Sequence, residues 1–374
     1  MSLARDIFDR IFHPNRDVHA IPVLDGNFSP NERLDRAIVL GAAFDAPDAL
    51  ALSGDGTLYV SSGRCVYACE GDDFGQRRTV ATFDAEAGAL AWSPSTGLLV
   101  ALSGQGMCAI DERGRIIARL DSAGGSALRC PTAIAVGDDG TVFVTDGSRH
   151  NAVADWHRDL LEKRPPSGRL IACDSRLSNP RVLADHLDWP GGVTVSHDGR
   201  GLLVTESWAH RLSLFPVGGG TPDVLVKNFA GYPCRISRAA RGDYWLAFFG
   251  LRTQLMEFVL REDDFRRRML ATVSPDLWVG PRLGGSIDYR EVMQIGRIKK
   301  LGIQKPWAPP RSYGLVARIG GDGNVRESLH SRASGEVHGI TAVIAENGGR
   351  VIAVSKGHGK LVGLPVGPVN QRGI

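Results

Sequence analysis

The sequence predicts an all-β fold, a six-bladed β-propeller, and three observations carry that prediction. A pair of alternating apolar runs around a glycine turn recurs six times along the chain. The recurrences are spaced by about one propeller blade, which takes roughly 40–45 residues. No Pro/Ser-rich linker divides the 374 residues, so a length that would otherwise suggest two domains fits a single closed β architecture.

The repeats run in order as PDALALSGDGTLYVSS from Pro47, AGALAWSPSTGLLVALS from Ala87 and PTAIAVGDDGTVFVTD from Pro131. They continue as PGGVTVSHDGRGLLVTES from Pro190, YPCRISRAARGDYWLAFF from Tyr232 and GITAVIAENGGRVIAVS from Gly339. Period-two alternation on both sides of a tight turn is the pattern of a β-hairpin. The turn glycines Gly56, Gly97, Gly140, Gly199 and Gly242 lie 41, 43, 59 and 43 residues apart. The long interval predicts an insertion from about Arg149 to Pro166. After Gly242 a helical, basic insertion is expected over residues 253–310, followed by the hairpin YGLVARIGGDGNVRESL from Tyr313 as the outer half of blade five. Blade six lacks a fourth strand downstream, and the stretch Arg36–Ala42 is expected to supply it and close the ring. Residues 1–35 read as an N-terminal helix and lead-in, with Leu3, Ile7, Ile11 and Phe12 on one helical side.

Composition narrows the function. Charged residues at 23% and hydrophobic residues at 43% are ordinary for a soluble globular chain. A net charge of +3 is too small to argue for nucleic acid or an anionic membrane as partner, and Arg266–Arg268 follow Glu262–Asp264 as a mixed-charge helix face. There is no secretory leader pattern and no run of about 18 apolar residues. The dispersed cysteines Cys65, Cys69, Cys108, Cys130, Cys173 and Cys234 read as reduced core residues, and a cytoplasmic location is expected. Phosphate-loop, dinucleotide, HExxH and G-x-S-x-G motifs are absent. The expected partner is a small molecule, with the 253–310 insertion as a contact surface for a possible homo-oligomer.

The segment WPGGVTVSHDGRGLLVTESWAHRLSLFPV, followed by FAGYPCRISRAARGDYWLAFFG, resembles the strictosidine synthase-like family. PTAIAVGDDGTVFVTDGS and SGRLIACD are similar to its third blade, and the likeness extends from about Pro47 to Pro365. The related gluconolactonases and paraoxonases share the fold and hydrolyse lactones or esters with a calcium ion in the central channel. At the positions matching their metal ligands this sequence has Asp48, Thr132, Gly191 and the pair Cys234–Arg235. Only one carboxylate remains, so the resemblance implies no metal cofactor, as in the plant synthases, with calcium as the alternative.

The resemblance also implies a proton-handling glutamate in the last blade, and the local match AENGGRV makes Glu346 that candidate. Glu206 and Asp146 end the second strands of blades four and three and are candidate acid–base partners. Strand-end acids also stabilise turns by accepting backbone hydrogen bonds. His150 and His210 follow four residues later in each case, and with Trp208, Tyr232 and Arg235 they are candidate substrate-binding residues. Trp156, Trp208, Trp278 and Trp307 lie in loops or insertions, where they would wall a pocket or pin the insertions to the ring. Cys234 beside Arg235 is a candidate low-pKa thiol. Three functions are therefore open: a metal-independent lyase or synthase acting on a C–N or C–C bond, a calcium-dependent lactone or ester hydrolase, and a non-catalytic binding propeller.

Overall fold

In the computed structural model, which describes residues 20–285, 299–300, 303–304, 312–346 and 349–365, the chain is a six-bladed β-propeller. Each blade is a four-stranded antiparallel sheet. Blade one runs through Pro47–Leu52, Leu58–Ser62, Cys65–Glu70 and Gln76–Thr82. Blade two uses Ala87–Ser93, Gly97–Leu102, Met107–Ile110 and Ile116–Leu120. Blade three uses Pro131–Val136, Val142–Asp146, Gly168–Cys173 and Arg181–Leu187. Blade four uses Pro190–Val195, Gly201–Glu206, Arg211–Pro216 and Asp223–Val226. The first strand of each blade packs against the first strand of the next, and the first strand of blade six returns to that of blade one.

Blade five is interrupted as the spacing predicts. Gly231–Arg238 and Asp243–Leu251 pair with Gly314–Gly320 and Val325–Ser331 across the insertion. Blade six consists of Ile340–Ala345, Val351–Ser355 and Lys360–Gly363, completed by the N-terminal strand Ile38–Leu40. The closing ladder pairs Ile38 with Gly363 and Leu40 with Leu361. The lead-in to that strand also clasps blade five: Asn27 and Asn31 donate to the Val325 and Ser328 carbonyls, and Arg33 pairs with Glu327 at 2.8 Å. The expected N-terminal helix at Leu3–Phe12 lies outside the described residues, as do Trp307 and much of the second insertion.

Apolar alternation puts the core between blades. Val60, Val100, Val144, Val204, Leu246 and Val354, all from second strands, are almost fully buried. All six cysteines are free thiols, and four of them are buried in this core. The interface between blades four and five is close enough that a side chain on Gly192 would run into the Cys234 carbonyl oxygen.

Both insertions lie on one end of the ring. The first forms helix α1, Trp156–Glu162, which stops at Lys163 in a left-handed conformation ahead of Pro165 and Pro166. The second forms α2, Gln254–Arg261, and α3, Asp263–Thr272. The Thr253 hydroxyl caps α2 by accepting from the Met256 amide. Arg266 of α3 donates to the Leu161 carbonyl at the end of α1. Leu160, Leu161, Met256, Val259 and Met269 then form one apolar cluster with Phe249 and Tyr232 of blade five. The insertions thus make a continuous roof over that end of the propeller.

Candidate functional site

In every blade the start of the first strand pairs with the end of the second, as Pro131 does with Asp146 and Pro190 with Glu206. The first-strand ladder slips near its second residue in each blade. Such bulges re-aim side chains beside functional sites. Asp48, Thr132, Gly191, Cys234 and Thr341, from five blades, accordingly line one cavity at the channel mouth, under the roof.

That cavity has a volume of about 240 Å³ and is walled by Trp156, Trp189, Trp208 and Phe249. Its floor is ionic. Arg235 crosses from blade five and donates through Nη2 to Asp48 Oδ2 at 2.5 Å, while Lys356 Nζ donates to Asp48 Oδ1 at 2.7 Å. The Arg235 guanidinium also donates to the carbonyls of Thr132 at 3.1 Å, Asp48 at 2.8 Å and Thr341 at 3.3 Å. Burial alone would raise the Asp48 carboxyl, but the charges of Arg235 and Lys356 outweigh it and hold the group well below the usual carboxylate range.

These residues do not fit calcium. Both oxygens of the one remaining carboxylate are bonded to protein cations, and Thr132, Gly191 and Cys234 stand at the other matched positions. Among the described residues, no three His, Cys, Asp or Glu side chains cluster to hold a metal ion. Cys234 is no activated thiol: burial raises it, and the neighbouring Arg235 does not offset that.

A second, larger chamber of about 780 Å³ adjoins the first beneath α1 and α2. Trp189 and Trp208 line both, stacked with centroids 5.1 Å apart. Trp208 is fixed by donating Nε1–H to Asp159 Oδ1 of α1 at 3.0 Å. Four residues of the larger chamber, Lys163, Trp189, His210 and Asn228, hold left-handed backbone conformations with φ of +48° to +58°. Such strain in non-glycine residues collects at active sites and ligand clamps. Asp188 lines this chamber with the two tryptophans and Arg211, and its carboxyl is raised to about 6, by burial first and by the nearby Glu206 second.

The structure brings together part of the predicted set. His150, His210 and Trp208 line the larger chamber, and Trp208 and Arg235 line the smaller one. Glu206 and Asp146 lie at this end but line neither chamber. Glu206 is fully buried, bonded to Arg211 at 2.5 and 2.9 Å, and accepts from the Asp188 amide at 2.9 Å. Asp146 is also fully buried, bonded to Arg169 at 2.5 and 3.1 Å, and accepts from the Cys130 amide at 2.7 Å. The repeated position is thus a strand-end acid fastening its own blade. Tyr232 is buried against Phe249, Trp208 and His210 and reaches neither chamber.

Glu346 is displaced most. It follows the first strand of blade six at the hairpin-turn end of the ring, opposite the chambers, where it pairs with Arg350. Its distance from the channel mouth follows from strand direction, because the turn between first and second strands always faces away from the first strand's start. Sequence reasoning missed Asp188 and Lys356. Lys356 has a visible signal: it follows the second strand of blade six, where blades one to four carry Gly63, Ser103, Gly147 and Ser207.

Comparison with known proteins agrees with this architecture. A family model described as strictosidine synthase matches residues 132–215, which span most of blades three and four. Strictosidine synthase-like protein 6 of Arabidopsis thaliana is 31% identical over 147 residues, 39% of each chain. The adipocyte plasma membrane-associated protein of Bos taurus is 31% identical over 144 residues, 36% of this chain and 34% of that one. The matches thus span about two fifths or less of these relatives' lengths. A gluconolactonase from Xanthomonas campestris superposes with a TM-score of 0.58 at 15% identity, covering 89% of this chain and 92% of that one. The calcium-binding protein regucalcin from Agrobacterium tumefaciens gives 0.56 at 13%, with 88% and 93% covered. No helix among the described residues is long and apolar enough to cross a membrane. The chain is a six-bladed β-propeller that resembles the strictosidine synthase-like family, most directly in its third and fourth blades.

Proposed function

We propose that the chain is a small-molecule enzyme of strictosidine synthase-like type, forming or cleaving a C–N or C–C bond by metal-independent acid–base chemistry in the larger chamber. The observation that carries this reading is Asp188, a carboxyl raised to about 6 in the wall of a roofed, tryptophan-lined cavity. A carboxyl titrating there is present in both protonation states near neutrality and serves as base and acid in turn. In an amine–aldehyde condensation it would twice accept a proton from the amine nitrogen and pass it to the carbonyl oxygen, first on attack to give the carbinolamine and then on dehydration, so that the oxygen leaves as water and the nitrogen is left as the imine. Asp188 takes the role that the resemblance assigned to Glu346.

The stacked Trp189 and Trp208 offer a flat, electron-rich wall, which favours a planar apolar substrate or one bearing a cationic nitrogen. The six free thiols agree with a reducing, cytoplasmic setting. The hydrolase reading has the fold of the gluconolactonase neighbour behind it, and the channel leaves Asp48 as the one carboxylate among the matched positions, with both its oxygens bonded to protein cations.

The test is turnover by chelator-treated protein on a panel of amine–aldehyde pairs, lactones and esters, read by mass spectrometry. Activity on an amine–aldehyde pair that persists in chelator and falls at least about 100-fold in Asp188→Asn supports the reading. Activity abolished by chelator, or equal to the parent's in folded Asp188→Asn, overturns it.

A further inference from the structure

The smaller chamber ends on hydrogen-bond donors that no acceptor among the described residues takes up. A guanidinium carries five N–H groups and an ammonium three. Four of the five on Arg235 go to Thr132, Asp48 and Thr341, and one of the three on Lys356 goes to Asp48. One N–H on Arg235 and two on Lys356 therefore have no acceptor among the described residues. The carboxylate between them cannot take more, since each of its oxygens already holds a charged donor.

Charge points the same way. Two cations meet one carboxylate on this floor, leaving an excess of one positive charge. It lies under an aromatic wall, where a low local dielectric strengthens any opposite charge that enters. Glu86, the other acid lining the chamber, is exposed at the rim, where water screens it. A metal ion would be repelled from this place, and a neutral alkane would strand the unused donors.

We propose that the smaller chamber binds a small organic anion, a carboxylate on an aromatic or apolar body. Lys356 Nζ and Arg235 Nη2 donate to its oxygens, and Trp156, Trp189, Trp208 and Phe249 enclose the body. The protein's own cations thus hold the place that a bound metal holds in other propellers of this shape, and they select an anionic ligand. This site is separate from Asp188, and its occupancy is read without turnover.

The experiment is titration of the intact chain with sodium phenylacetate, followed by tryptophan fluorescence and calorimetry. Benzyl alcohol serves as the neutral counterpart, inorganic phosphate as the anion without a body, and calcium chloride as the cation. Saturable phenylacetate binding is expected, at least tenfold tighter than benzyl alcohol or phosphate. Lys356→Met should weaken it tenfold or more, while Lys356→Arg and Asp188→Asn should retain it. If phenylacetate fails to saturate at millimolar concentration, or binds no better than benzyl alcohol, the proposal falls. It falls equally if folded Lys356→Met binds as the parent does, or if calcium raises the melting midpoint. Should Lys356→Met not fold, the comparison of phenylacetate with benzyl alcohol in the parent protein decides the question.

Discussion

Arg235 of blade five reaches across the propeller channel to Asp48 of blade one, closing Nη2 to Oδ2 at 2.5 Å while three more of its N–H groups hold carbonyls of blades one, three and six. One side chain therefore ties four blades at the axis. Removing one member of a buried ion pair leaves the other charge uncompensated, at a cost of about 3–5 kcal/mol. Arg235→Met is expected to lose about 3 kcal/mol in urea unfolding, near the lower end because Lys356 still faces Asp48.

The same pair sets acid behaviour. The Asp48 carboxyl is depressed in the folded state below the 3.8 of a free aspartate. Unfolded chains then bind more protons than folded ones below about pH 4, so stability falls as pH drops through that range. An Asp48→Asn variant is expected to show a flatter acid limb in a pH series of thermal melts. An unchanged limb would mean that other carboxylates dominate.

Asp188 has the opposite sign. Its folded carboxyl is raised to about 6 from 3.8, so the folded state binds the extra proton between those values. The stabilising contribution is full below about pH 4 and is lost as pH rises through 6. Asp188→Asn should therefore be more stable than the parent at pH 7.5, on the order of 2 kcal/mol, and equal to it near pH 4. A residue whose removal stabilises the fold is the mark of a group kept for function.

Glu346→Gln is expected to leave turnover and ligand binding unchanged, because Glu346 sits at the far end of the ring on Arg350. The half-exposed pair contributes at most about 1 kcal/mol, readable as a small shift in the urea midpoint. A large loss of activity with an intact melt would return the catalytic role to this turn.

Asp146→Asn tests the strand-end acids as fasteners. Asp146 and Arg169 are both fully buried, and the arginine also holds the Ala123 and Ala127 carbonyls. The substitution should cost about 3–5 kcal/mol while leaving phenylacetate affinity in the surviving folded protein unchanged.

Much of the architecture was legible because it is written in short-range pattern. Alternation around Gly56, Gly97, Gly140 and Gly199 marks hairpins, and the gap after Gly242 marks an insertion splitting blade five. Ring closure by Ile38–Leu40 followed from counting strands in blade six. The site was less legible, because its chemistry depends on distant neighbours. Asp188 is raised by a buried environment shared with Glu206, and nothing in the local string Leu187–Trp189 encodes that burial. Glu346 was matched from the turn AENGGRV, and strand polarity places that turn at the opposite end of the ring from the two chambers. Asp146 and Glu206 were found at equivalent places, but only Arg169 and Arg211 opposite them reveal that those places are structural.

The ladder between Ile38–Leu40 and Lys360–Gly363 couples the fold to the order of synthesis. The first of these strands leaves the ribosome long before the second exists. At about 5–20 residues per second, the wait is roughly 15–65 seconds. Throughout it blade six is incomplete and Ile38–Leu40 has no partner strand. A slowdown late in translation lengthens the time this strand stays unpaired.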